Sequence, residues 1–271
     1  MSHYSREYHL MLPVVREAGA AVMQFYTSQK YQVQHKDPEN PVTEADYAAH
    51  RIISEALQRL FPQDAILSEE SDSAEESARM LRDRFERPRV WIIDPIDGTR
   101  EFIKGRDEFA ISVGLVEAGR AVVGFVFNPA KDYLLSGAQG LGLFLNGAVF
   151  TRRVASADHA VGKPPRIVVS RSEFKAGELK HLESAYPQLA EYAIGSIAYK
   201  LALIADGTFD LAVSVRPKNE WDIAGAAALL NIAGLELADK AGIPIVFNKA
   251  LLESPGIIAG TGAACAWYRS R

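Results

Sequence analysis

One short motif limits, more than any other feature, how this chain can fold and what chemistry it can carry. An apolar run, Val90-Trp91-Ile92-Ile93, is followed at once by Asp94-Pro95-Ile96-Asp97-Gly98-Thr99. The run predicts a short buried strand that delivers Asp94 to the edge of a sheet. Pro95 suits the second position of a turn, and Gly98 can adopt the backbone angles with which the chain leaves the turn. Both aspartates are therefore expected on the same side of the turn.

The motif offers only oxygen atoms as ligands. The predicted turn leaves the Ile96 carbonyl pointing outward, beside the carboxylates of Asp94 and Asp97 and the hydroxyl of Thr99. This set suits Mg²⁺ or Mn²⁺ rather than zinc. If a helix begins near Gly98, its exposed N–H groups would face the same point and favour a bound phosphate.

Two other interpretations of the motif stay open on these residues alone. Asp94 could begin the turn and Asp97 could cap a helix, with no ligand at all. The motif is also similar to the Asp-x-Asp-Gly-Thr signature of aspartyl-phosphate phosphatases, whose first aspartate is a nucleophile. In that signature the aspartates are two residues apart, whereas Asp94 and Asp97 are three apart. The spacing therefore argues against an aspartyl nucleophile.

Further acids stand at the ends of other predicted elements. Glu69 follows a predicted strand over 65–68, Asp46 lies one turn into a predicted helix, and Asp222 opens another helix. Considered singly, Glu69 fits a solvated loop residue, Asp46 fits a favourable charge at the start of a helix, and Asp222 fits an N-cap. Glu69 and Asp222 could, however, converge with the two aspartates of the motif on one crevice. Carboxylates so close would repel unless a cation held them together.

Hydrophobic periodicity predicts two helices on an antiparallel sheet in the first part of the chain, with helices over 4–27 and 45–60. Thr43 is the predicted N-cap of the second helix. The charged segment 71–88 is predicted to be a mobile or helical surface insertion. The other predicted elements are strands over 65–68, 90–93, 109–116 and 121–127, a hairpin or loop over 29–41, and a hairpin over 142–151 signalled by Asn146-Gly147.

Beyond about residue 155, alternating strands and helices predict an α/β unit. The small, polar, proline-containing segment 155–165 is the predicted junction. It divides the chain into an α+β half over 1–154, with most of the metal ligands, and an α/β half over 155–271, with Asp222 and the substrate-recognition elements. The predicted strands here are 167–169, 192–194, 209–215 and 257–259, and the predicted helices are 174–186, 196–205 and 222–233.

Composition excludes several classes of protein. With 30 basic and 34 acidic side chains and a net charge of −4, the chain is not expected to bind nucleic acid. Its single cysteine, Cys265, excludes a disulfide framework and is predicted to be an inert, packed thiol. No run approaches the roughly 20 apolar residues of a membrane span. A cytoplasmic enzyme is expected, with peripheral attachment to the inner membrane left open.

Four segments, in chain order, resemble the signatures of the inositol monophosphatase superfamily. Asp94-Pro95-Ile96-Asp97-Gly98-Thr99-Arg100-Glu101-Phe102 is similar to its first signature. The second is matched by Trp221-Asp222-Ile223-Ala224-Gly225 with Ala233-Gly234, and two upstream elements by Pro41-Val42-Thr43-Glu44-Ala45-Asp46 and Ser68-Glu69-Glu70-Ser71. The resemblance implies a Mg²⁺-dependent phosphatase. It also implies an α+β, partly α/β fold, a layered αβαβα sandwich with metals between its halves.

The resemblance further implies two or three Mg²⁺ ions, or Mn²⁺ in their place, held by Glu69, Asp94, the Ile96 carbonyl, Asp97 and Asp222. Glu69, Asp94 and the carbonyl match the ligands of a first ion. Asp94, Asp97 and Asp222 match those of a second.

The family's catalytic roles also fall on residues of this chain. Glu69, alone or with Asp46, would hold a third ion. Thr99, together with Asp46 or Glu69, would orient and deprotonate the attacking water. The backbone N–H groups of Gly98 and Thr99 would bind the phosphate. No covalent phosphoenzyme is then required.

For the substrate, the first signature with its continuation Ile103-Lys104 looks most like the 3′(2′),5′-bisphosphate nucleotidases of the CysQ type. Ser170-Arg171-Ser172 and Gly195-Ser196 also resemble that branch. Lys200 is either a ligand of a second phosphate or a solvated helix lysine. Val215 stands where inositol phosphatases carry a substrate-binding glutamate. The expected substrate-binding residues are Glu69, Asp94, Ile96, Asp97, Gly98, Thr99, Gly195, Ser196, Lys200 and Asp222.

The sequence therefore favours release of the 3′-phosphate from adenosine 3′,5′-bisphosphate. The expected partner is a small phosphorylated metabolite, and a homodimer is left open. Inositol 1-phosphate, histidinol phosphate and other sugar or polyol monophosphates are the alternative substrates. A third possibility is a regulatory protein-binding member with weak phosphatase activity, which the loss of several metal ligands would favour.

Overall fold

The computed structural model describes residues 3–37, 40–152, 165–183 and 186–270. Its α-helices are α1 Ser5–Ser28, α2 Glu44–Leu60, α3 Ala74–Glu86, α4 Thr99–Ile103, α5 Arg171–Lys175, α6 Lys180–Glu183, α7 Ile197–Ala205, α8 Glu220–Ile232 and α9 Gly262–Arg269. Two 3₁₀ turns, Pro129–Lys131 and Leu189–Tyr192, complete the helical segments described.

The strands are β1 Val33–Asp37, β2 Asn40–Thr43, β3 Ala65–Ser68, β4 Arg89–Asp97, β5 Ala110–Glu117, β6 Arg120–Asn128, β7 Tyr133–Ala138, β8 Gly142–Leu145, β9 Ala148–Phe150, β10 Ile167–Ser170, β11 Ala193–Ile194, β12 Leu211–Ser214, β13 Lys218–Asn219, β14 Glu236–Ala238, β15 Glu253–Ser254 and β16 Ile257–Gly260. A seven-stranded sheet has the order β3-β4-β5-β6-β7-β8-β9, parallel only between β3 and β4. A five-stranded sheet has the order β11-β10-β12-β16-β14.

Helices and sheets stack in five layers. Helices α1 and α2 pack on each other and on one face of the seven-stranded sheet. Helices α7 and α8 lie between the two sheets, within an apolar cluster that contains residues of both. Helix α9 packs on the outer face of the five-stranded sheet. This arrangement confirms the predicted αβαβα sandwich.

Several local predictions are confirmed. Thr43 caps α2, and its hydroxyl accepts the Ala45 N–H at 3.2 Å. The predicted hairpin over 142–151 is β8 and β9, joined at Asn146-Gly147, where both residues have positive φ. The segment 71–88 carries the helix α3. Cys265 is a buried free thiol, and burial raises its pKa to about 12.

Other predictions need correction. The helix predicted over 174–186 is interrupted, because Gly177 adopts a φ of +73° directly after α5. The second sheet is only partly parallel, since β16 runs antiparallel to both of its neighbours. Sequence patterning also missed β7, β14 and α9. The junction predicted at 155–165 lies almost wholly within 153–164, outside the described residues, so the division of the chain there stays a prediction.

None of the described helices combines the length and apolar character needed to cross a lipid bilayer.

Close contact between α8 and the seven-stranded sheet sets the position of Asp222, which lies in the first turn of α8. A Cβ at Gly225 would lie 2.8 Å from the Phe125 carbonyl oxygen and 2.9 Å from the Val113 nitrogen. We expect Gly225→Ala to destabilise the protein by about 2–3 kcal/mol, because backbone atoms cannot move aside as a flexible side chain can. Denaturant unfolding measures this change.

Gly262→Ala is the matched control, because a Cβ there meets only the end of the Glu236 side chain, at 3.0 Å. Its free energy of unfolding is expected to stay within about 0.5 kcal/mol of the unmodified protein. Equal stability of the two variants would contradict the close packing of α8.

Candidate metal and phosphate site

A cleft of about 640 Å³ opens where the ends of β3 and β4 meet the first turns of α4, α7 and α8. Five acidic side chains line it, namely Glu69, Asp94, Asp97, Glu101 and Asp222. Five basic side chains, Lys36, Arg100, Arg171, Lys200 and Lys218, also line it, and some of them lie beside acids: Lys36 is 3.5 Å from Glu69, and Arg171 is 3.4 Å from Glu101. The four acids that the sequence placed at the ends of separate elements therefore share one cleft.

Strand β4 presents the central motif through a local irregularity. Its pairing with β5 shifts between Asp94 and Asp97, next to Pro95, which has no N–H to donate. The Asp94 carboxylate accepts the Ile96 N–H at 2.9 Å, and its side chain is 1% exposed. The strand thus continues to Asp97 instead of ending at Ile93, but both aspartates still face the same cleft, as predicted.

Asp97 is oriented by the N-terminus of α7. Its Oδ2 accepts the Ser196 hydroxyl and the Ala198 N–H, each at 2.6 Å. Ser196 caps α7 with a φ of +51°. Ser196 was predicted to bind substrate; in the structure its hydroxyl holds a carboxylate that was predicted to bind metal.

Thr99 and Asp46, predicted to act together, meet. The Thr99 hydroxyl lies 3.2 Å from Asp46 Oδ1 and 3.0 Å from the Ile96 carbonyl oxygen, so both acceptors are within its reach. Asp46 also accepts the Thr43 N–H at 2.8 Å, which closes the capping box of α2. Burial raises the Asp46 pKa to about 7, against the opposing effect of the Thr43 hydrogen bonds. Asp46 can therefore take up or release a proton near neutral pH.

Glu69 and Asp222 reach the cleft from different elements. Glu69 follows β3, and its carboxyl group lies close enough to Asp94 to raise the pKa of that aspartate. Asp222 accepts the Asn219 N–H at 2.8 Å as the third residue of a capping box. The N-cap of α8 is thus Asn219, and the N-cap interpretation of Asp222 is wrong.

The carboxylates of the cleft repel one another. Burial is the main cause of the raised pKa of Asp94 and of Asp222, and the neighbouring carboxylates raise both further. Burial also raises the pKa of Glu69 and Asp97. Within the described ranges, no three His, Cys, Asp or Glu side chains are grouped closely enough to form a ready metal shell. A divalent cation would relieve the repulsion, and the all-oxygen donor set suits Mg²⁺.

Lys200 is not a solvated helix lysine. Its side chain is 2% exposed, and its ammonium group donates to the carbonyls of Ile194 at 3.1 Å and Gly195 at 3.3 Å. Burial lowers its pKa to about 8, although the nearby Asp97 raises it. Lys200 therefore fixes the backbone that carries Ser196 while it lines the cleft.

Sequence reasoning missed two further charged pairs. The Lys36 ammonium group, carried by the β1–β2 hairpin, lies 2.5 Å from Glu70 and 3.5 Å from Glu69. Arg171 forms an ion pair with Glu108, which also accepts the Gly195 N–H at 2.8 Å. No local spacing signals these contacts. They join residues that are distant in the chain.

The chain matches the family model described as "Inositol monophosphatase family" over residues 6–269. It is 34% identical over 238 residues to the 3′(2′),5′-bisphosphate nucleotidase CysQ of Escherichia coli K12, covering 87% of this chain and 91% of that protein. It is 33% identical over 230 residues to an inositol-1-monophosphatase of Rhizobium meliloti, covering 83% of this chain and 82% of that one.

Among solved structures, the extragenic suppressor protein SuhB of Bartonella henselae superposes with a TM-score of 0.75 at 26% identity, covering 97% of this chain and 96% of that one. The layered fold, the cleft and these similarities agree. The chain belongs to the inositol monophosphatase family, whose members are metal-dependent phosphoric monoester hydrolases.

Proposed function

We propose that this enzyme removes the 3′-phosphate of adenosine 3′,5′-bisphosphate, in a Mg²⁺-dependent reaction that yields AMP and inorganic phosphate. The observation that carries the proposal is the lining of the cleft, which combines five acidic side chains with five basic ones. The acidic side chains suit metal ions and, through them, the reacting phosphate. The basic side chains, Arg171, Lys200 and Lys218 among them, suit a second anionic group on the same substrate. Similarity to the CysQ nucleotidases supports this choice.

Glu69, Asp94, Asp97 and Asp222, with the Ile96 carbonyl, would hold the metal ions. When bound, Mg²⁺ supplies a water of lowered pKa and neutralises charge on the phosphate. Thr99 would orient the attacking water through its hydroxyl, and Asp46 would take up the proton by way of Thr99. The water oxygen then bonds to phosphorus as the bond between phosphorus and the ribose 3′-oxygen breaks, with no phosphorylated side chain. The ribose oxygen takes a proton from solvent and leaves as the 3′-hydroxyl of AMP.

Thr99→Ala is expected to lower kcat about 100-fold, because the water loses the hydroxyl that orients it and its path to Asp46. The KM is expected to change little, since the side chain acts mainly in the transition state. Steady-state rates at saturating Mg²⁺ measure both constants. Thr99→Ser keeps the hydroxyl and is expected to retain most of the rate. A serine variant as slow as the alanine variant would contradict this role.

A parallel turnover assay tests the substrate. It offers adenosine 3′,5′-bisphosphate, inositol 1-phosphate, fructose 1,6-bisphosphate and histidinol phosphate, each with Mg²⁺. We expect kcat/KM for the nucleotide to exceed that for the two monophosphates by at least about 10-fold, because a second charged contact contributes more than about 1.4 kcal/mol. Fructose 1,6-bisphosphate also carries a second phosphate, so it separates the effect of charge from recognition of the nucleoside. Equal rates would overturn the nucleotide specificity while leaving the phosphatase activity intact.

Inositol 1-phosphate is the second candidate, because the Rhizobium meliloti relative is named an inositol-1-monophosphatase. Val215 stands against it, as it replaces the glutamate that inositol phosphatases use for the sugar hydroxyls. Histidinol phosphate and a regulatory role with weak activity have no comparable support. A cytoplasmic location and a homodimer remain predictions from the sequence.

A further inference from the structure

One carboxylate outside the group predicted to bind metal is fully buried beside the cleft. Glu173 in α5 is 0% exposed. Its side chain accepts the Ser214 hydroxyl at 2.5 Å, the Val215 N–H at 2.9 Å and the Arg216 N–H at 3.4 Å. The Lys218 ammonium group donates to it as well, at 3.3 Å. One carboxylate thus organises the whole turn that follows β12.

This turn forms one wall of the cleft. Pro217, Lys218 and Asn219 line the cleft, and Asp222 follows them in α8. The Lys218 ammonium group also donates to the carbonyls of Arg216 and Pro217, each at 3.1 Å, so its three protons are all used inside the turn. Lys218 is therefore held in place rather than free to follow a ligand.

The start of helix α5 forms the adjacent part of the same wall. Ser170, Arg171 and Ser172 line the cleft immediately before Glu173 in the chain. This wall adjoins the acidic residues of the cleft, since Glu101 pairs with Arg171 at 3.4 Å and Asp222 follows the turn after β12. Its positive charges therefore face a group of the substrate next to the reacting phosphate. Through its hydrogen bonds, Glu173 connects α5 to the turn that carries Lys218.

We propose that Glu173 is a positioning residue for substrate specificity: it holds the 214–218 turn so that the cleft presents a fixed basic wall to an anionic leaving group. The identity of that leaving group as a phosphorylated nucleoside rests on the proposed function. In this role, Glu173 does not act on the reacting phosphate itself. Its loss should therefore affect substrates according to the size and charge of their leaving group.

The experiment compares Glu173→Gln with the unmodified enzyme on two substrates, adenosine 3′,5′-bisphosphate and phenyl phosphate. Phenyl phosphate offers only a small, uncharged leaving group. We expect the KM for the bisphosphate to rise at least about 10-fold, while kcat stays within about 2-fold and kcat/KM for phenyl phosphate is unchanged. Glu178→Gln is the matched control, because Glu178 bonds Arg216 of the same turn from an exposed position. For both substrates, the KM and kcat of this control are expected to match those of the unmodified enzyme.

An equal loss for both substrates, or no loss for either, would overturn the proposal. If Glu173→Gln does not fold, Ser214→Ala removes one of the hydrogen bonds by which Glu173 holds the turn. This variant is expected to give the same split between the substrates, and the absence of that split would overturn the proposal equally. If the unmodified enzyme prefers another compound of the turnover panel, the proposed function fails. The same comparison is then made with that compound against phenyl phosphate, so the two failures are distinguished.

Discussion

Replacing Asp94 with asparagine is expected to lower kcat on the order of a thousandfold or more at saturating Mg²⁺. Asp94 lines the cleft, is buried, and is repelled by the carboxylates of Glu69, Asp97 and Asp222. In the proposed reaction it would be a ligand of both the first and the second metal ion. A neutral amide cannot balance their charge, so both the water and the phosphate lose their electrostatic support.

This loss should not come from unfolding. Burial already raises the pKa of Asp94 far above its usual value, which means that the metal-free fold favours a neutral group there. The stability of Asp94→Asn without metal is therefore expected to match or exceed that of the unmodified protein. Asp72→Asn is the control, since Asp72 is an exposed partner of Arg51. A near-normal rate for Asp94→Asn would contradict the assignment.

Removing Mg²⁺ is expected to abolish turnover and to make the stability of the protein depend strongly on pH. The pKa of Glu69, Asp94, Asp97 and Asp222 is raised in the folded state. Above the unfolded values, near pH 4, the folded chain therefore binds more protons than the unfolded chain. Its free energy of unfolding then falls as the pH rises through the window between the unfolded and folded pKa values.

Mg²⁺ should reverse this loss, because it binds only the folded, ionised cluster. At a free concentration about 100 times its Kd, the expected gain is about 2.7 kcal/mol. Thermal unfolding at pH 5 and pH 8, with Mg²⁺ and with EDTA, measures the effect. The gain is expected at pH 8, to be smaller at pH 5, and to be absent in Asp94→Asn. An equal gain in that variant would place the bound metal elsewhere.

Local patterns predicted the centre of the site. The positions of Asp94 and Asp97 follow from a short turn that contains proline and glycine, and that of Asp46 follows from the capping box with Thr43. These relations span only a few residues, so spacing is enough to predict them. The layered fold and the family followed from the order of four such segments.

Other features depend on contacts that spacing does not encode. Lys200 has the pattern of an exposed helix lysine, but α7 lies between two sheets and buries it. The bonds of Glu173 to the 214–218 turn, and of Arg171 to Glu108, join residues far apart in the chain. The end of α5 depends on the backbone of Gly177, for which the helical pattern of the neighbouring residues gave no warning.

We expect four carboxylates, from the end of β3, from β4 and from α8, to hold divalent cations in one cleft. Crystals of the protein grown without metal and then soaked in Mn²⁺ test this expectation directly, through the anomalous scattering of manganese. At least two peaks are expected, each bonded to Asp94 and within about 2.5 Å of oxygens from Glu69, Asp97 or Asp222. An empty cleft, under conditions in which Mn²⁺ supports full turnover, would contradict it.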